Sequence, residues 1–172
     1  MKKLFLPFLA TVFFMSESIF IDLWPKDELY QQYVFVPRFL LIFLIFLTVY
    51  VTQTHGMVYG LIFGMLYDIV YTEVLGIYMF SFTLIAYMMA KAMKIFHNHL
   101  FITCFLSMMA VSVLEFYVYG IQLLIGKTNM SFHDFYSHRL LPTLVLNVIF
   151  IILCSYPLKQ WLVKIGRRER EE

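Results

Sequence analysis

Five charged side chains are placed where they could do chemistry: the acids Glu17, Asp68 and Glu115 and the bases Arg38 and Arg139, each set in or at the edge of a strongly apolar run. An ionisable group inside such a run costs about 2.5 to 3.5 kcal/mol on insertion scales, so it marks a paired structural group, a proton relay or a ligand site. Arg38 also has a plainer reading, as a boundary arginine whose head snorkels to lipid headgroups. Two histidine groupings invite a metal reading. His97 and His99 are two apart and point to opposite sides of a helix, while His133, Asp134 and His138 are scattered along a polar stretch that sets no coordination geometry. Both read as solvated loops, and no metal site is expected.

Cys104 and Cys154 fall within apolar runs, where thiols behave as small apolar groups, and they form no disulfide framework. The phosphate-cradling GxxxxGK(S/T) and zinc-binding HExxH patterns are absent, and no serine or cysteine stands in a nucleophile context. No catalytic residue, cofactor or nucleic-acid partner is expected. A lipid-handling enzyme would have to rest on Glu115 and the histidines near residues 133–138, whose spacing supports no acid–base pair.

These residues must be positioned by membrane helices. Hydrophobic residues make up 62% of the chain and charged residues only 14%, where soluble domains run near half and a quarter, and the mean hydropathy is +0.80. A bilayer core takes about 20 apolar residues per helix. Spans are expected near 4–23, 36–51, 57–71, 77–92, 100–125 and 140–158, followed by a short tail at 159–172, all in one domain. Runs such as FLLIFLIFLTVYV are apolar on every face, which excludes the alternating pattern of an outer-membrane barrel. The fold class is all-α, a bundle of six transmembrane helices.

With six spans both termini share a side. That side carries Lys2, Lys3, Lys91, Lys94, Lys159, Lys164, Arg167, Arg168 and Arg170, against Lys26, Arg38, Lys127 and Arg139 opposite. The positive-inside rule then places both termini in the cytoplasm. The first span runs past Ser16-Glu17-Ser18 without a small-x-small site and reads as a retained anchor. Trp24, Pro25, Tyr30 and Tyr33 read as an interfacial anchor on the outer side. The arginines of the tail suit anionic lipid or topology, with a cytoplasmic protein as the alternative contact.

Within this frame the stretch from Gly56 to Gly76 stands out as the organising helix. Gly56, Gly60, Gly64 and Asp68 follow at four-residue steps and form a slowly slanting groove ending in a carboxylate, a surface for close helix packing or partner docking. Gly76 follows at a short turn, where a backbone conformation closed to other residues is expected. At about 1.5 Å per residue, Glu17, Asp68 and Glu115 lie about 12 to 18 residues along spans one, three and five. Arg38 and Arg139 open spans two and six at the same outer level. These five residues are expected to form a polar cluster in the outer leaflet, with Asp68 pairing to Arg38. No chain of such groups reaches the other half of the membrane, which argues against a proton pump.

Pro37-Arg38-Phe39 opening span two, the Gly60-x-x-x-Gly64-x-x-x-Asp68 run and the following Leu75-Gly76-x-Tyr78 together resemble the MreD family of bacterial rod shape-determining proteins, over essentially the whole chain. The resemblance implies a non-enzymatic subunit of the elongation machinery (elongasome) in the bacterial cytoplasmic membrane. Its implied direct partner is MreC. The MreB filament and the wall-synthesising glycosyltransferase and transpeptidase are implied indirectly, beside membrane lipid. It implies a fold similar to the substrate-binding subunits of energy-coupling-factor transporters, and no catalytic residues. The alternative function is that of a transporter subunit holding a vitamin-like ligand in the outer polar layer.

Overall fold

The computed structural model describes residues 5–23, 33–72, 74–96 and 99–169. The anchor segment around Trp24, Pro25 and Tyr30, together with Lys2, Lys3, Glu73, His97 and Arg170, lies outside them. Every regular element among the described residues is helical: α1 (Phe5–Leu23), α2 (Phe39–Tyr50), α3 (Gln53–Tyr71), α4 (Ile77–Phe96), α5 (Leu100–Leu124), a single turn α6 (Phe132–Asp134), a π-helical stretch (Phe135–Leu140) and α7 (Leu141–Glu169). The last three run on without a break, so the described residues form six rods. Four of them, 5–23, 77–96, 100–124 and 132–167, are long and apolar enough to cross a membrane.

The rods alternate in direction, as contacts at their ends show. At one end Phe5 of α1 stacks edge-on against Trp161 of α7, Tyr50 at the end of α2 bonds Thr103 near the start of α5, and Gly166 of α7 meets the backbone of Tyr50. At the other end Glu17 of α1 bonds the start of α2 and Asp68 of α3 the start of α4. The outward faces are apolar, with Phe8, Met15, Ile69, Val145 and Ile152 exposed, while Glu17, Arg38, Asp68, Glu115 and Asn147 are buried. Apolar surface outside and charge inside is the arrangement of a helical bundle in lipid.

The hub of the bundle is α2, which corrects the expectation that the glycine helix is central. Its 12 residues span only about 18 Å, well short of a hydrocarbon core of roughly 30 Å. It packs against α1, α3, α4, α5 and α7, and all but the first of its residues are buried. That explains why FLLIFLIFLTVY is apolar on every face: each face meets another helix. A helix enclosed by protein need not match the bilayer thickness.

The glycine stripe of α3 binds this helix to the core and to α4. The Gly56 Cα lies against Thr48 of α2; a Cβ at Gly60 would stand 3.2 Å from the backbone of Phe82, and one at Gly64 only 2.6 Å from the Met79 Cα. At Gly64 the α3 and α4 backbones touch directly, an approach that glycine permits, while at Gly60 the fit is tight. Thr52 caps the start of α3, its hydroxyl accepting from the His55 amide at 3.3 Å, so the helix begins at Gln53 rather than at 57. At the far end Gly76 makes the turn into α4 with φ +106°, in the left-handed region.

Residues 33–38 carry no regular secondary structure and are tied to the last rod by hydrogen bonds. Pro142 has no N–H, so the His138 carbonyl lacks its i+4 donor, and the Val34 amide donates to it at 2.7 Å. The Thr143 hydroxyl accepts from Val36 N–H at 3.1 Å; the Asn147 side chain accepts from Arg38 N–H at 2.9 Å and donates to the Val36 carbonyl at 3.1 Å. This irregular segment, exposed at Tyr33 and Val34 and buried at Pro37 and Arg38, thus has backbone groups bonded by the His138 carbonyl and by the Thr143 and Asn147 side chains. The last rod extends to Glu169, beyond the expected end at 158, with Pro157 inside it.

Candidate functional site

The charged layer expected from the sequence lies at the end of the bundle where α1, α3 and α5 finish and α2, α4 and the last rod begin. Its centre is an ion triad. The Arg38 Nε donates to Glu115 Oε1 at 2.7 Å, with Nη2 of the same guanidinium at 2.6 Å, and Arg139 Nε donates to Glu115 Oε2 at 3.1 Å. Each carboxylate oxygen has its own arginine. The Glu115 side chain is fully buried and that of Arg38 2% exposed, whereas Arg139 at 17% forms the outer lip, where Nη1 also donates to Gln122 Oε1 at 3.3 Å. A buried pair of this kind holds only with its remaining donors satisfied. Tyr78 supplies part of that for Arg38: its hydroxyl accepts from Nη2 at 3.0 Å and its ring centroid lies 5.0 Å from the guanidinium carbon.

Glu17 and Asp68 act differently. Glu17, on α1, accepts from the Leu40 amide at 2.7 Å through Oε1 and from the Tyr67 hydroxyl through Oε2. Leu40 is in the first turn of α2, and Arg38 at its N-cap lends no side chain to those amides. Asp68, on α3, accepts from three amides at the start of α4: Gly76 and Met79 on Oδ2 at 2.8 and 3.1 Å, and Tyr78 on Oδ1 at 2.8 Å. The first amides of a helix have no partner within it, and its dipole favours negative charge there. Each acid therefore caps the helix that follows its own. Glu115, on α5, takes the same place relative to the last rod, through Arg139 of its π-helical stretch instead of through amides.

The expected pairing of Asp68 with Arg38 is thus corrected: Asp68 lies in the layer but is bonded to backbone N–H groups, and Arg38 belongs to Glu115. The Tyr67 ring links the two halves, with its hydroxyl on Glu17 and its centroid 5.8 Å from the Arg38 guanidinium carbon. Tyr67 and Tyr78 had no assigned role in the sequence. The signal was available for Tyr67, which lies three residues past Gly64 on the face that turns to α4. Asn147, expected as an interhelical hydrogen-bonding group, fastens the irregular segment that carries Arg38.

The arrangement can hold helix ends in register and can bury charge without water; every carboxylate oxygen of the three acids has a donor from this chain. Among the described residues no group of three or more His, Cys, Asp or Glu could hold a metal ion. His133 and His138 each lie 3.9 Å from Asp134, at an exposed turn.

A family model described as rod shape-determining protein MreD matches residues 2–165. The rod shape-determining protein MreD of Bacillus subtilis (strain 168) is 40% identical over 172 residues, covering 100% of both chains. No solved structure matches the chain.

Proposed function

Because this chain belongs to the MreD family of rod shape-determining proteins, we propose that it is a non-enzymatic subunit of the elongation machinery, docking MreC and helping to organise lateral peptidoglycan synthesis. The family places it in the determination of cell shape. The finer reading puts it in the cytoplasmic membrane with six passes and both termini inside. MreB and the wall-synthesising glycosyltransferase and transpeptidase are reached through MreC.

The observation that supports a scaffold is the state of the three buried acids. Glu17, Asp68 and Glu115 direct their oxygens to Leu40, Tyr67, the start of α4 and two arginines of the same chain. A vitamin-like ligand held in this layer would need convergent polar groups facing a cavity. Here those groups hold helices together, which favours a rigid platform. The glycine stripe is likewise occupied by α2 and α4, so MreC docks on another face.

Co-expression of the full chain with MreC and purification in mild detergent tests this reading. The expected result is a complex stable through gel filtration. Recovery of a tightly bound small metabolite with no protein partner overturns it in favour of the transporter subunit.

A further inference from the structure

At the lysine-rich end of the bundle a groove of about 300 Å³ lies between the start of α5 and the last turns of α7. Its cations are Lys159, Lys164 and Arg167, and its apolar walls are Leu100, Tyr156 and Val163. The α7 residues recur at helical spacing on one face, and residues 156 to 167 cover about 16 Å of rise. Trp161, which stacks on Phe5 at the start of α1, stands at the same level, as tryptophan does at a membrane interface. Leu100 opens α5, and His99 at its N-cap gives no side-chain hydrogen bond to the first-turn amides. A positive helix end thus adds to three cations beside an apolar wall.

We propose that this groove binds one anionic phospholipid, with its phosphate at Lys159, Lys164, Arg167 and the start of α5 and an acyl chain along Leu100, Tyr156 and Val163. Charge complementarity selects an anion, and the apolar wall selects one that carries a hydrocarbon chain. A zwitterionic lipid would satisfy the wall but leave the cations without net countercharge. The bound lipid would bridge α5 and α7 where Gly166 brings α7 onto the end of α2. The proposal is independent of MreC docking.

Native mass spectrometry of the full chain in neutral detergent, titrated with phosphatidylglycerol, phosphatidylcholine or inorganic phosphate, tests it. The expected result is one retained phosphatidylglycerol, bound at least about tenfold more tightly than phosphatidylcholine. A basic residue near an anionic headgroup contributes roughly a fivefold factor. Lys159→Gln, Lys164→Gln and Arg167→Gln together should therefore weaken binding on the order of a hundredfold, and the exposed single changes Lys164→Gln and Arg167→Gln about fivefold each. Lys91→Gln with Lys94→Gln, at the same end but outside the groove, should leave it unchanged. Equal retention of the two lipids, undiminished binding in the single and triple variants, or displacement of the lipid by an equal concentration of inorganic phosphate would overturn the proposal.

Discussion

Glu115 shares its two oxygens between Arg38 and Arg139, so its removal exposes two charges at once. Glu115→Gln should lower stability by about 3 to 5 kcal/mol, because both guanidiniums then face a neutral amide and that of Arg38 is buried away from water. Adding Arg38→Gln should recover part of that loss, since one of the two stranded charges is gone. Thermal melts in detergent measure both, and a double variant less stable than the sum of its singles would refute the triad. Asp68 behaves otherwise. Exchanging Asp68→Arg with Arg38→Asp should restore nothing, since the amides of Gly76, Tyr78 and Met79 need an acceptor and Glu115 needs a cation. Recovery of folding in that double variant would mean that the two are partners after all. A rise of 1.5 Å per residue correctly sets a residue's level, but its partner depends on which way the helix faces.

At the scale of elements, the α3–α4 hairpin depends on glycine to different degrees along its length. A Cβ at Gly64 would lie 2.6 Å from the Met79 Cα and 2.7 Å from the Tyr78 carbonyl oxygen, while at Gly60 its nearest neighbours, backbone atoms of Phe82 and Thr83, stand at 3.2 Å. Backbone cannot swing aside as a side chain can. Gly64→Ala should therefore cost about 2 to 3 kcal/mol and Gly60→Ala about 1, on the scale of overpacking in tight cores. Gly76→Ala meets open space but must hold φ +106°, for about 1 kcal/mol or more. Melting temperatures should rank Gly64→Ala lowest of the three, and a lower value for Gly60→Ala would show that α3 and α4 are closest elsewhere. The four-residue spacing marked this stripe as a packing surface. It could not name the neighbour, nor disclose that the shorter α2, with no glycine and no charge, would be the hub.

For the whole molecule, the alternation of the rods puts the start of α1, the end of α2 and the end of α7 together, and the lysines and arginines of α4 and α7 cluster at helix ends of matching direction. The positive-inside rule then predicts which end faces the cytoplasm. Single-cysteine reporters at the exposed positions Lys127 and Lys94, in a chain with Cys104→Ala and Cys154→Ala, test it with a membrane-impermeant maleimide on intact cells. Lys127→Cys should react and Lys94→Cys should not until the cells are opened. The reverse pattern would invert the topology and place the phospholipid groove in the outer leaflet.

Composition and hydropathy by themselves determined that this is a membrane bundle of helices. The depth of Glu17, Arg38, Asp68, Glu115 and Arg139 along their runs determined that they share one layer, because both properties depend only on local residue type and rise per residue. Only the tertiary structure decided that Glu17 and Asp68 cap neighbouring helices, that Glu115 joins two arginines, and that residues 33–38 are held by Thr143 and Asn147. Those choices depend on rotation and register between helices far apart in the chain. A helix apolar on all sides, such as α2, carries no periodic signal of the face it turns to each neighbour; packing supplies it.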